Sequence, residues 1–128
     1  MYLRYIIFYM TDEVINAVWE KASKVDHFDP KQFRKDACGA WIIRSHYGLR
    51  TSIYGWEVDH VYPQSLGGDD NDNNLRAMQW ENNKSKGDDY PSYRAVVRSE
   101  GNKNIHQEGQ YTINQALQDE LSKIYGIK

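Results

Sequence analysis

Cysteine is nearly missing from this 128-residue chain: Cys38 stands alone, which excludes an intramolecular disulfide and a cysteine-rich zinc ribbon, both of which need partners. Long hydrophobic runs are missing too. The stretch from Tyr5 to Met10 is apolar but too short to span a bilayer, and it leads into Asp12 and Glu13 without a small-residue cleavage site. Neither a signal peptide nor a membrane span is therefore expected. A cytoplasmic protein without a membrane partner is the reading, with export by a non-classical route left open. Excess positive charge is also lacking, because the formal net charge is −2, so the whole molecule does not draw in polyanions as a basic DNA-binding domain does. Internal repeats and low-complexity tracts are absent as well.

What is present suits one soluble domain over residues 1–128, with 40% hydrophobic and 27% charged residues. Ten Tyr and four Trp supply large apolar area; Trp41, Trp56 and Trp80 could stack bases, although core packing is expected for most. Charge is unevenly spread. Residues 31–50 carry Lys31, Arg34, Lys35, Arg44 and Arg50 against Asp36, whereas 57–75 carry Glu57, Asp59, Asp69, Asp70 and Asp72 and no Lys or Arg. A basic segment beside an acidic one suits a metal site with a phosphate-binding rim.

Thr11 followed by Asp12 and Glu13, with Val14, Ile15, Val18, Ala22 and Val25 at helical spacing, predicts a helix over roughly 12–25. Residues 1–9 read as an upstream extension, a short edge strand or an ordered tail. Asp29-Pro30 predicts a second, short helix to about Lys35. Trp41–Arg44, Thr51–Tyr54 and Trp56–Asp59 are β-prone, followed by a polar loop from Gln64 to Asn73 that is long enough to suggest a function. A helix over about 78–86 stops at Gly87. Residues 91–98 read as one or two helical turns and 101–109 as loop, and Thr112 with Gln115 reads as a capping box for a last helix.

The densest chemistry lies in Trp56-Glu57-Val58-Asp59-His60-Val61-Tyr62-Pro63-Gln64-Ser65-Leu66-Gly67-Gly68, continued by Asn74-Leu75 and Asn82-Asn83-Lys84-Ser85-Lys86-Gly87. Hydrolysing a phosphodiester requires a deprotonated water, stabilisation of charge on phosphorus and neutralisation of the leaving oxygen, work that a histidine and one hard cation can divide. His60 is the only histidine of the segment, and histidine changes charge near neutral pH; it is assigned water activation. Asp59 and Asn83 offer hard oxygens suited to Mg²⁺, with Mn²⁺ or Zn²⁺ as alternatives. Neighbours on a regular strand face opposite sides, so the strand is expected to end or bulge at Asp59. Lys86 shares a helix face with Asn83 and becomes a candidate phosphate contact; Lys84, Arg76, Arg44 and Arg50 are further nucleic-acid candidates.

In order, residue type and spacing, the run Asp59-His60, Pro63, Gly67-Gly68, Asn74-Leu75, Asn83, Lys86-Gly87 resembles the HNH nuclease family, and is similar to the HNH domain of RNA-guided CRISPR effector nucleases. The likeness covers about residues 54–87. It implies an α+β fold with a ββα-metal (His-Me finger) core, its strands from about 51–60 and helix from about 78–86, flanked by N- and C-terminal helices. It further implies a single-metal endonuclease acting on nucleic acid, DNA in the first instance, and a bracing role for Asn74 across the loop that carries His60. A homodimer would serve symmetric cuts, and an inhibitor protein would accompany a toxin.

Rival readings are specific. Asp70, Asp72, Asn74 and Glu81 stand at positions of a calcium loop, but Leu75 occupies the place of its obligatory glycine. An HNH-like module could bind nucleic acid or a partner without cutting. Asn82 could replace Asn83 as ligand by a slip of one residue. His27, His46 and His106 have no such company and are read as incidental.

Overall fold

The computed structural model describes residues 10–127; the reading of residues 1–9 lies outside them. The elements are α1 (Asp12–Lys21), β1 (Phe33–Lys35), β2 (Trp41–Ile43), β3 (Trp56–His60), β4 (Leu75–Gln79), α2 (Trp80–Lys86), β5 (Ser92–Glu100), β6 (Lys103–Thr112) and α3 (Gln115–Tyr125). The architecture is α+β. Among the described residues, three separate two-stranded antiparallel sheets pair β1 with β2, β3 with β4, and β5 with β6.

The β3–β4 hairpin is central because its two faces carry different cores. Strand alternation sends Leu75 and Ala77, with Trp56, toward α1, where they meet Ile15, Val18, Trp19 and Ile42. Met78 packs on the opposite side with Cys38, Val61, Tyr93, Ala95, Ile113 and Leu121. Register pairs Glu57 with Met78, Asp59 with Arg76 and His60 with Leu75.

Sheets without a shared ladder need other joints, and buried polar side chains supply them. Asp36, in the β1–β2 turn, accepts from the backbone N–H groups of Cys38, Ala40 and Gln79 and from Asn82 Nδ2, at 2.9–3.2 Å. Burial pushes its carboxyl up from the ordinary range while the four N–H donors pull it back. Asn82, on α2, accepts from the N–H of Val96 and of Val97 and donates to Val97 O, satisfying backbone at the irregularity between Ala95 and Val97. Asn104 of β6 bonds both backbone groups of Trp41.

Several expectations are corrected. Helix α1 stops at Lys21, because Ala22 turns extended and Ser23 bridges to Lys35. Asp29 does cap one turn, accepting from Lys31 N, but residues 33–35 then pair with 41–43 instead of continuing a helix. The partner of β3 comes from residues 75–79, after the long loop, and not from 51–55, which form turns. Residues 92–112 are a β-hairpin rather than helical turns and loop. The last helix is capped by Asn114, which accepts from Leu117 N, two residues later than Thr112.

Replacing Asp36 by Asn would set an amide NH₂ against a ring of N–H donors. Urea unfolding of Asp36→Asn is expected to show a loss of about 2–4 kcal/mol; an unchanged midpoint would remove Asp36 from the joints that hold the sheets together.

Candidate active site

Strand β3 has β4 on one edge, while its other edge makes a single bridge from Trp56 to Tyr47. Beyond that bridge no described residue pairs with the edge, and a cleft of about 490 Å³ runs along it, lined by four consecutive residues, Glu57, Val58, Asp59 and His60, together with Asn83 of α2. Consecutive lining residues mean that the cleft meets the strand edge-on and receives side chains from both faces. No bulge is needed: pairing continues through His60, one residue past the expected end, before the chain turns away at Val61.

Asp59 is 4% exposed. Its Oδ2 accepts from Arg76 Nε at 3.0 Å, and its Oδ1 lies 3.4 Å from Lys86 Nζ. Lys86 is 1% exposed, and its amine also donates to the carbonyls of His60 and Val61 at 3.2 and 3.1 Å. Burial lowers its pKa against the pull of Asp59. Neither cation is directed at the open cleft as a phosphate contact would be: Arg76 packs over the Tyr93 ring and Lys86 is inside. Both charges lie beneath the cleft.

His60 keeps only 9% of its side chain exposed, and its Nε2 lies 2.7 Å from Asp70 Oδ1. Among the described residues nothing bonds its Nδ1. The segment after His60 is held by Asn74, which is fully buried, accepts from Tyr62 N at 2.7 Å and donates to Tyr62 O and Asp69 O, each at 3.0 Å. Its backbone carbonyl accepts from Val61 N. Gly68 closes over this brace; a Cβ there would lie 1.8 Å from Tyr62 O and 2.9 Å from Asn74 Nδ2, so no other residue fits.

Asn83 faces the cleft and donates to Glu57 Oε1 at 3.1 Å, whereas adjacent Asn82 spends its whole side chain inside the protein. Glu57 also receives two hydrogen bonds from Arg50, at 2.7 and 3.0 Å. Arg50 and Lys84 line the cleft; Arg44 instead bonds Asn16 and packs over Trp56. Sequence reasoning missed Glu57 as a site residue, although it stands two before Asp59 and so shares its strand face. Asp70 had no comparable signal in its spacing.

The calcium-loop reading is not realised. Its four residues have separate partners: Asp70 meets His60, Asp72 meets Lys21, Asn74 braces the backbone and Glu81 meets His106. Trp41 and Trp56 are buried, and Trp80 donates its ring N–H to Ser52 O, so core packing describes the first two.

Residues 51–92 match the family model of HNH endonuclease. The likeness to HNH endonucleases is confined to this segment of the chain. The match contains β3, the loop, β4 and α2, and thus every residue of the cleft from Glu57 to Asp88. No curated protein and no solved structure matches the chain significantly. The likeness points to nuclease activity in general and, with it, to nucleic-acid binding.

Deleting the brace of the HNH loop has a local readout. In Asn74→Ala, amide exchange at Val61 and Tyr62 is expected to accelerate by about 10- to 100-fold, as follows from losing about 1–3 kcal/mol of buried hydrogen bonding. Exchange at wild-type rates would show that the loop is held by other contacts.

Proposed function

We propose that β3, β4 and α2 form a ββα-metal core and that the chain is an endonuclease that hydrolyses nucleic-acid phosphodiesters, DNA in the first instance. The observation that carries the reading is the convergence of His60, Asp59 and Asn83 on one cleft, with His60 Nδ1 unengaged among the described residues.

The donors suit a hard divalent cation. Asp59, Asn83 and Glu57 offer oxygens, and each Asp59 oxygen keeps lone-pair capacity beside its one cationic neighbour. Among the described residues no three His, Cys, Asp or Glu side chains gather as a closed cage, which favours Mg²⁺ or Mn²⁺, ions that retain much of their water, over a closed zinc site. Asp59 and Asn83 would hold the ion, with Glu57 nearby. When bound, such a cation supplies stabilisation of charge on the phosphate and the leaving oxygen.

The chain's own residues do the rest. His60 Nδ1 takes a proton from the attacking water. Asn74 keeps His60 in place through the Tyr62 backbone. Arg50 and Lys84 meet phosphates along the cleft, and Lys86 and Arg76 hold positive charge under it, which gives a chain of net charge −2 a local attraction for a polyanion.

Incubating purified protein with supercoiled plasmid in EDTA, Mg²⁺, Mn²⁺, Ca²⁺ or Zn²⁺ tests the reading. Nicking or linearisation with Mg²⁺ or Mn²⁺ is expected, reduced about 100- to 10,000-fold in His60→Ala, the usual range for a general base. His60→Ala should still bind Mn²⁺ in a calorimetric titration, and Asp59→Ala should lose binding and cutting together. Cutting by His60→Ala at the wild-type rate would contradict the assignment of the base.

A further inference from the structure

The 64–74 loop carries an acid onto the candidate base. Asp70 Oδ1 lies 2.7 Å from His60 Nε2, on the ring edge away from the unengaged Nδ1. Asp70 itself is 67% exposed on its side chain, but its neighbour is tied down at several points. Asp69 has its carbonyl held by Asn74 Nδ2, its N–H bonded to the Tyr125 hydroxyl, and its carboxylate bonded to that hydroxyl and to Asn71 N. Tyr125 belongs to α3, far along the chain, and its ring stacks on Tyr62 at 5.4 Å.

Resting on the nuclease reading above, we propose that Asp70 is the positioning residue of His60. Its carboxylate holds the ring proton on Nε2 and so presents Nδ1 as the acceptor, and α3 fixes it there through the contacts of Tyr125 with Asp69. A carboxylate can only accept, so a neutral imidazole bonded to it carries its proton on Nε2. Nδ1 then carries the free lone pair of a ring that lines the cleft, and the water's proton goes there; the Nε2 proton stays on the ring and Asp70 keeps its charge. This is the division of labour between base and orienting acid that recurs on unrelated folds. Because solvent screens the exposed carboxylate, Asp70 acts by orientation and tautomer more than by its field. The C-terminal helix, outside the matched HNH segment, thereby becomes part of the catalytic apparatus.

The test pairs two readouts. Nitrogen-15 NMR of histidine-labelled protein, with His60 assigned by loss of its signals in His60→Gln, reads the tautomer without reference to activity. Cleavage of a short duplex gives kcat and KM. Wild type is expected as the Nε2–H tautomer, and Asp70→Ala as a mixture of both, with kcat lower by about 10- to 100-fold while KM, Mn²⁺ affinity and thermal midpoint hold. Asp72→Ala removes the same charge from the same loop without touching His60, and should keep the wild-type tautomer and rate. Asp70→Ala with an unchanged tautomer and kcat would overturn the proposal, as would an equal loss in Asp72→Ala. An inactive wild type would remove the nuclease reading, and the tautomer spectra would then decide the role of Asp70 on their own.

Discussion

One carboxylate joins three elements of this protein. Asp59, on β3, sits between Arg76 of β4 and Lys86 of α2, so the strand pair and the helix that follows it are clamped at a single buried point. Such a cluster is costly to desolvate, and removing one partner from a buried pair typically costs about 3–5 kcal/mol because the other charge is left without compensation. A core of alkyl side chains could hold these elements together at least as well. What it could not do is place an acid in the lining of a cleft with two cations beneath it. Charge balance at that point favours an incoming phosphate, which the net charge of the chain does not.

Around this clamp, the geometry of a strand edge resolves an apparent conflict. Adjacent residues of a strand address opposite faces, yet Asp59 and His60 serve one cleft. They do so because the cleft lies beside the edge of β3 that no strand among the described residues covers, so both faces meet it. An open edge is ordinarily an aggregation hazard; here it is short and flanked by acids and by Arg50. The loop returning from His60 to β4 is irregular, and its backbone groups are satisfied by one buried asparagine, Asn74, over which only glycine fits at position 68.

Much of the centre was legible in the sequence, and the periphery much less so. Asp59, His60, Asn74 and Asn83 stand at intervals set by short contacts between a strand, a loop and a helix, and such local geometry leaves a pattern in residue spacing. Helix α2 and its stop at Gly87 were readable for the same reason. Glu57 was available from strand parity alone. By contrast, β6 reads as loop because its side chains are mostly polar and solvent-facing, and only pairing with β5 makes it a strand. In β5 the signal is present, since buried Tyr93, Ala95 and Val97 alternate with Arg94, Val96 and Arg98, of which both arginines are exposed. The contacts of Lys86, Arg76 and Asp70 depend on tertiary closure between distant residues, so spacing carried no trace of which side chain faces solvent and which faces an ion-pair partner.

The central claim is that this cleft directs water onto phosphorus. It is tested most directly by cutting a short duplex in ¹⁸O-enriched water with Mg²⁺ or Mn²⁺ and weighing the ends by mass spectrometry. The account predicts one ¹⁸O in the phosphate-bearing end of each new break, at a rate that depends on His60. Breaks whose phosphate ends carry no label, as attack by a nucleic-acid hydroxyl would leave, would contradict it.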